Sequence, residues 1–290
     1  MTGQSMRIDA HQHFLFPSRV EYPWLEGEAQ KPLQRDFTPQ DLERELERNA
    51  ITHTVLVQTR SSLSETQEFL EIAAQSPFVA GVVGWVDLSD SGVGKVLDAL
   101  LESSTGHFLL GIRHQVHDEP DPGWLLGKDV NRGLEALEQR GLSYDLLVRA
   151  RELPAALQAA RAHPELTFVL DHLAKPDIKA GDLERWSAAL EPLESLPNVF
   201  VKLSGLVTEA DWTTWTPQQI VPYFRASLER FGPERCLYGS DWPVCLLASS
   251  YGQTLELVQW ALEGQDPIAR DAVLGESAAR AYRLRERGLL

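Results

Sequence analysis

Cysteine and methionine are scarce in this chain of 290 residues, each occurring only 2 times. The two cysteines, Cys236 and Cys245, fall within and just after one predicted strand, which excludes a disulfide-stapled scaffold and fits a reducing cytoplasm. Long apolar runs are missing too. A membrane-spanning helix needs roughly 18 or more consecutive apolar residues, and Met1 to Arg7 lacks the apolar centre of a signal peptide. A soluble, cytoplasmic protein with no membrane partner is therefore expected. Positive charge is in short supply, with 27 Lys and Arg against 42 Asp and Glu and a formal net charge of −15. Such an acidic balance argues against nucleic acid as a partner, although local arginines could still receive an anionic substrate. No Gly-x-Gly-x-x-Gly follows a predicted strand and no Gly-x-x-x-x-Gly-Lys occurs, so dinucleotide and P-loop readings lose their main support. Nor does any composition break mark a domain boundary. One domain over 1–290 is expected, with 1–6 a polar disordered lead and Met6 a candidate natural start.

Short β-rich apolar runs alternate with amphipathic helical patterns along the rest of the chain. Strands are predicted at 8–14, His53 to Thr59, Val79 to Leu88, Leu109 to His114, Leu142 to Val148, Leu166 to Leu173, Val199 to Gly205 and Arg235 to Asp241. Helices are predicted from Pro39 behind a Thr38 cap to about Asn49, from Ser64 to before Pro77, and over Val93–Glu102, Val130–Gln139, Leu153–Ala162, Asp182–Leu196, Pro217–Phe231, Gln253–Glu263 and Pro267–Arg285. Leu15 to Asp36, rich in proline and aromatics, reads as an ordered loop over the first strand's end. Alternation of this kind signals parallel strands joined by right-handed crossovers, and at this length it favours a closed (β/α)8 TIM barrel over an open sheet.

A barrel places its active site at the carboxyl ends of the strands. The first strand carries Asp9-Ala-His11-Gln-His13, and side chains at i and i+2 share a face of a strand. His11 and His13 would project side by side, with Asp9 on the same face, able to hold a metal ion or to polarise a substrate oxygen. Other strand ends supply Gln58, Asp87, Arg113, His114, Tyr144, Asp145, His172, Lys175, Lys202, Ser204, Ser240 and Asp241. His53, His107 and His163 read as structural, and His117 as a loop residue that could reach the mouth but is expected to be exposed.

Six motifs sit at or beside these ends: Asp-Ala-His-Gln-His-Phe (9–14), Val-Gly-Trp-Val-Asp-Leu (83–88), Gly-Ile-Arg-His (111–114), Asp-His-Leu-Ala-Lys-Pro (171–176), Lys-Leu-Ser-Gly-Leu (202–206) and Gly-Ser-Asp-Trp-Pro-Val (239–244). Together they resemble the amidohydrolase superfamily. The nearest resemblance is to its sugar-acid lactonase branch, of the L-fuconolactonase type, and a more distant one is to the pyrone-dicarboxylate lactonases. Across 9–244, and in the tail 278–282, the likeness covers nearly the whole chain.

The resemblance implies that Asp241 activates the attacking water, that His11, His13 and His172 polarise the substrate carbonyl or bind a metal, and that Arg113 binds a substrate oxygen. It also implies either no ion or a single divalent one, zinc foremost, held by His11, His13, His172 and Asp241. Two-metal members of the superfamily place a bridging lysine near the end of the fourth or fifth strand, where this chain has Arg113-His114 and Tyr144-Asp145 instead. Trp24, Trp85, Trp212 and Trp242 lie in or beside strand-end loops, and aromatic faces offer sugar rings an apolar platform. Trp24, Trp85, Gln58, His114, Tyr144 and Lys202 are accordingly expected to bind a polyhydroxylated lactone, the small-molecule partner. A zinc-dependent decarboxylase of the same superfamily is the alternative reading. Oligomeric state is left open.

Overall fold

The computed structural model describes residues 6–290. Residues 1–5 of the expected lead lie outside the described residues, whereas Met6 is half-buried and packs against the barrel interior. Eight strands, β1 (Ile8–Gln12), β2 (His53–Val57), β3 (Val79–Gly84), β4 (Leu109–His114), β5 (Ser143–Leu146), β6 (Phe168–Leu170), β7 (Val199–Leu203) and β8 (Cys236–Tyr238), pair in sequence order and in parallel. The ring closes just beyond β1 and β8, where the Asp241 N–H donates to the His11 carbonyl (2.8 Å) and the His13 N–H to the Trp242 carbonyl (2.7 Å). This is the (β/α)8 barrel that the alternation of elements predicts.

Helices α1 (Pro39–Asn49), α2 (Leu63–Gln75), α3 (Val93–Leu101), α4 (Lys128–Glu138), α5 (Leu153–Ala162), α6 (Leu183–Glu194), α7 (Pro217–Phe231) and α8 (Tyr251–Ala261) follow the strands in turn. At the chain's end come α9 (Pro267–Asp271) and α10 (Ser277–Ala281), joined by a π-type turn at Ala272–Glu276. Local chemistry fixes their ends. Thr38 and Asp41 cap α1 reciprocally, and Leu42 and Leu46, one turn apart, bury its inner face.

Alternation along the strands sorts side chains into two cores. Ile8, Ala10, Val55, Val57, Val83, Leu110, Val169, Phe200 and Leu237 fill the barrel with Tyr282, while Leu56, Val82, Ile112, Tyr144, Phe168, Val201 and Tyr238 face the helices. Every inward position above the apolar floor is thus available for polar chemistry. Arg113, Asp145, Asp171 and Lys202 occupy such positions, all buried.

Candidate active site

β1 breaks its own alternation. Its register with β2 shifts between Asp9 and Gln12, so that His11 turns inward two residues after an outward Asp9. Asp9 therefore does not share the histidines' face. Its carboxylate accepts from the Ser240 N–H (2.8 Å), the Ser240 hydroxyl (2.6 Å) and the Tyr251 hydroxyl (2.9 Å), and burial pushes its pKa up to about 6. In this position it anchors the segment carrying Asp241.

β6 stops at Leu170, short of the sequence expectation, because His172, Leu173, Ala174 and Lys175 all adopt the left-handed region (φ 51–60°). Such backbone is costly for non-glycine residues and persists only when its surroundings hold it. Here the turn carries His172 over the barrel mouth beside Gly205, where an added Cβ would come within 2.3 Å of His172 Nδ1. Asp241, just beyond β8, is also left-handed (φ 57°).

These elements bring His11, His13, His172 and Asp241 together. Asp241 Oδ1 lies 3.3 Å from His13 Nε2, 3.7 Å from His11 Nε2 and 3.8 Å from His172 Nε2. Burial raises the carboxyl's pKa, but His172, His13 and His11 outweigh it and hold Asp241 well below the usual carboxylate range. Burial lowers the His172 pKa to about 4 and drives that of His11 well down, so both imidazoles are neutral at pH 7. His13 Nδ1 is 2.7 Å from the Val57 carbonyl, an obligate acceptor, so Nδ1 carries a proton, and Nε2 faces His11 and Asp241. Acceptor atoms therefore converge from several sides, a demand that a positive charge satisfies. His11, His172 and Asp241 each place one donor atom within 4.8 Å of the others, and this nitrogen and oxygen set suits one divalent ion.

Arg113 reaches the same centre from β4. Its NH1 donates to Asp171 Oδ2 (3.0 Å) and to His11 Nε2 (3.2 Å), and its NH2 to the Gln58 carbonyl and to Gln58 Oε1 (3.3 Å). A cavity of about 240 Å³ opens above, lined by His13, Trp24, Arg113, His172, Lys175 and Asp241 among others. His117 also lines it, half-buried, rather than standing exposed in its loop as the sequence suggests. Trp24, 40 % exposed, is the tryptophan of the expected set that borders this cavity.

Other expected substrate contacts lie elsewhere. Gln58 is buried against Arg113 and Gln115. Because Arg113 points inward, the next residue, His114, points outward, where it accepts from Trp85 Nε1 (3.0 Å), stacks on Trp124 and pairs with Glu119. Tyr144 faces the helices for the same reason, its neighbour Asp145 being inward, and it packs on Phe168. Lys202 lies fully buried beneath His11, bonded to Asp145 Oδ2 (2.6 Å). Trp212 bonds Thr208 away from the cavity, and Trp242 is packed between Phe14 and Phe37. Asp171 and Gly205 are the residues that strand-end reading passes over. Their signals lie inside the Asp171-His172 and Ser204-Gly205 pairs, and only the three-dimensional convergence of β4, β6 and β7 gives them meaning.

Residues 8–284 match the family model described as Amidohydrolase. The chain belongs to the amidohydrolase family. It is 39% identical over 293 residues to the L-fucono-1,5-lactonase of Burkholderia multivorans, covering 97% of both chains, and 37% identical to that of Burkholderia ambifaria, covering 97% of this chain and 96% of the relative. A crystal structure of an amidohydrolase from Burkholderia multivorans with bound zinc superposes with a TM-score of 0.90 at 39% identity, covering 96% of this chain and 99% of the other. Membership in this family makes the protein a hydrolase, and the histidine and aspartate cluster lies at the carboxyl ends of its strands. No helix among the described residues is long and apolar enough to cross a membrane.

Proposed function

We propose that this hydrolase opens the lactone ring of a neutral, polyhydroxylated sugar acid by direct attack of water. The observation that carries the reading is the position of Asp241. Its ionised carboxylate faces three imidazoles on the floor of a cavity of about 240 Å³ whose wall includes Arg113. Two L-fucono-1,5-lactonases at 37–39% identity over nearly full length support the lactone as substrate class.

In this scheme Asp241 accepts a proton from water as the water oxygen bonds to the lactone carbonyl carbon. The oxyanion develops beside His11, His13 and His172, and because acceptor atoms of these residues face it, its negative charge would be met by Arg113 or by the ion that they would hold. When the C–O ring bond breaks, the ring oxygen takes the proton back from Asp241. Aspartate is a weak base, the more so when its pKa is depressed, but a lactone is an activated ester and needs only modest help. His11, His172 and Asp241, with His13 alongside, would hold a single zinc ion, which when bound supplies Lewis-acid polarisation.

Charge along the cavity favours a neutral ring over a dicarboxylic one. Arg113 is paired with Asp171, and Lys175 with Glu209 at 2.8 Å, so each of these wall cations already has a carboxylate partner. The decarboxylase reading asks Arg113 to clamp a leaving carboxylate, yet both of its amino groups are bonded to protein acceptors.

The test is a screen of aldonolactones and then dicarboxylic lactones, with acid release followed by a pH indicator. Turnover of an aldonolactone is expected, and Asp241→Asn should lower kcat by about 10²–10⁴-fold while remaining folded. Near wild-type turnover in that variant would remove Asp241 as the base, and inertness of wild type toward every lactone would end the proposal.

A further inference from the structure

The loop after β4 brings to the cavity two neighbouring polar side chains that the reaction scheme does not use. His117 and Asp118 end the short helical turn Val116–Asp118, and both line the cavity that holds His172 and Asp241. His117 Nε2 lies 3.3 Å from Asp118 Oδ1. Burial lowers the His117 pKa and outweighs the Asp118 charge, which raises it. At pH 7 the ring is therefore neutral, and the contact is not an ion pair.

The turn is anchored on both sides by other groups. The His117 N–H donates to the Leu147 carbonyl (3.2 Å), just beyond β5, and His117 Nδ1 lies 3.4 Å from the same oxygen. Arg151 donates to the carbonyls of His117 (3.3 Å) and Glu119, while the Glu119 carboxylate meets His114 Nε2 at 2.7 Å. None of these anchors uses the Asp118 carboxylate, whose side chain is 73 % exposed. The fold thus places His117 Nε2 and a free carboxylate side by side in the cavity wall, and groups placed in advance lose little freedom when a ligand arrives.

A carboxylate only accepts hydrogen bonds, whereas a neutral imidazole nitrogen gives or takes one. Side by side they match two adjacent hydroxyls of a ring, one O–H donating to Asp118 and the next hydroxyl engaging Nε2. An ester oxygen has no proton to offer Asp118, and a carboxylate on the ligand would be repelled by it. We propose that His117 and Asp118 are specificity-determining residues that read a pair of adjacent hydroxyls on the lactone. Trp24, on the border of the same cavity, offers the apolar face of that ring a platform. This assignment deepens the lactonase reading and rests on it for its kinetic test.

The experiment measures kcat/KM for a panel of aldonolactones and their monodeoxy analogues in wild type, Asp118→Ala and His117→Phe. In wild type, loss of either hydroxyl of the pair is expected to lower kcat/KM about 10–100-fold. Asp118→Ala should lower kcat/KM for the full lactone by a similar factor, yet stay within about 3-fold of wild type on the analogue that lacks the hydroxyl Asp118 reads. Discrimination then collapses at that one ring position, and His117→Phe should collapse it at the next. A merely structural role would lower lactone and analogues alike. That outcome, or wild-type discrimination retained at every position, overturns the proposal. Because Asp118 is exposed, its variant decides the matter even if His117→Phe fails to fold. If wild type hydrolyses none of the panel, the lactonase reading fails and calorimetric titration with the intact lactones decides instead. Tighter binding to wild type than to Asp118→Ala, lost with one deoxy analogue, supports the pair as a hydroxyl reader, and equal or absent binding overturns it.

Discussion

Asp9 accepts hydrogen bonds from both the backbone N–H and the hydroxyl of Ser240, at 2.8 and 2.6 Å, and so ties the first strand to the residue preceding Asp241. The Ser240 hydroxyl in turn accepts from the Trp242 N–H at 3.0 Å. Asp241, the proposed base, is therefore held from one side by β1 and from the other by its own chain. The same strand that delivers His11 and His13 locks the segment that delivers Asp241.

Asp9→Ala would leave the buried N–H groups of Ser240 and His11 without their acceptor. Each such loss costs about 1–3 kcal/mol, so a destabilisation of roughly 2–6 kcal/mol is expected in urea unfolding. Asp9→Asn keeps one acceptor oxygen and should cost much less. The pH dependence gives a second check. With its folded pKa up at about 6 against 3.8 for the free group, Asp9 contributes stability that is full below pH 3.8 and is lost as pH rises through 6. Wild type should therefore lose stability relative to Asp9→Asn between those values. A difference that is flat with pH would mean that the hydrogen bonds offset burial and leave the Asp9 pKa at its ordinary value.

Much of this architecture is legible in the sequence because parallel strands and crossover helices leave a strong alternating pattern, and His11, His13, His172 and Asp241 all lie at or just beyond the carboxyl ends of β1, β6 and β8. The face of each residue is harder to read. Strand-end membership does not separate Arg113, which points in, from His114, which points out, nor Asp145 from Tyr144. It also does not separate height, so Lys202, two positions below Ser204 on β7, reads as a wall residue although it lies in the floor. The irregularity that turns His11 inward after Asp9 leaves no local signature. Likewise, the left-handed run from His172 to Lys175 contains no glycine to announce it.

Metal content tests the argument from Arg113. A bridging lysine is absent from the end of β4, and the buried Lys202 is engaged by two carboxylates rather than facing the cavity. Chelated protein reconstituted with excess zinc and dialysed should retain one ion per chain by elemental analysis, and His172→Ala should reduce that retention. Two ions per chain would contradict the single-site reading of His11, His172 and Asp241.

Replacing Arg113 by lysine separates a structural role from a substrate contact. The guanidinium serves Asp171, His11, the Gln58 carbonyl and Gln58 Oε1 together, and one ammonium nitrogen cannot span that fork. Arg113→Lys should therefore lower unfolding stability by about 1–3 kcal/mol, and kcat/KM with it as Asp171 and His11 shift. Undiminished stability with a reduced kcat/KM would instead assign the guanidinium to a substrate oxygen.

Selectivity for a neutral ring should depend on Glu209, which lies behind the cavity wall and bonds both Lys175 (2.8 Å) and Arg149 (3.1 Å). Burial raises the Glu209 pKa, but the two cations outweigh it and hold it below the usual glutamate value, so the pairs persist at neutral pH. Glu209→Gln keeps the shape and removes the charge. Lys175, which lines the cavity, would then present an uncompensated ammonium to the ligand. A partly exposed ion pair is worth about 0.2–1 kcal/mol, so kcat/KM for a lactone bearing an extra carboxylate should rise roughly 1.4–5-fold relative to a neutral aldonolactone. The gain should shrink as salt is raised toward 1 M, since screening shortens the reach of the ammonium. If the ratio of the two substrates does not move, Lys175 is not near the bound ligand, and the preference for a neutral ring must come from the shape of the cavity alone.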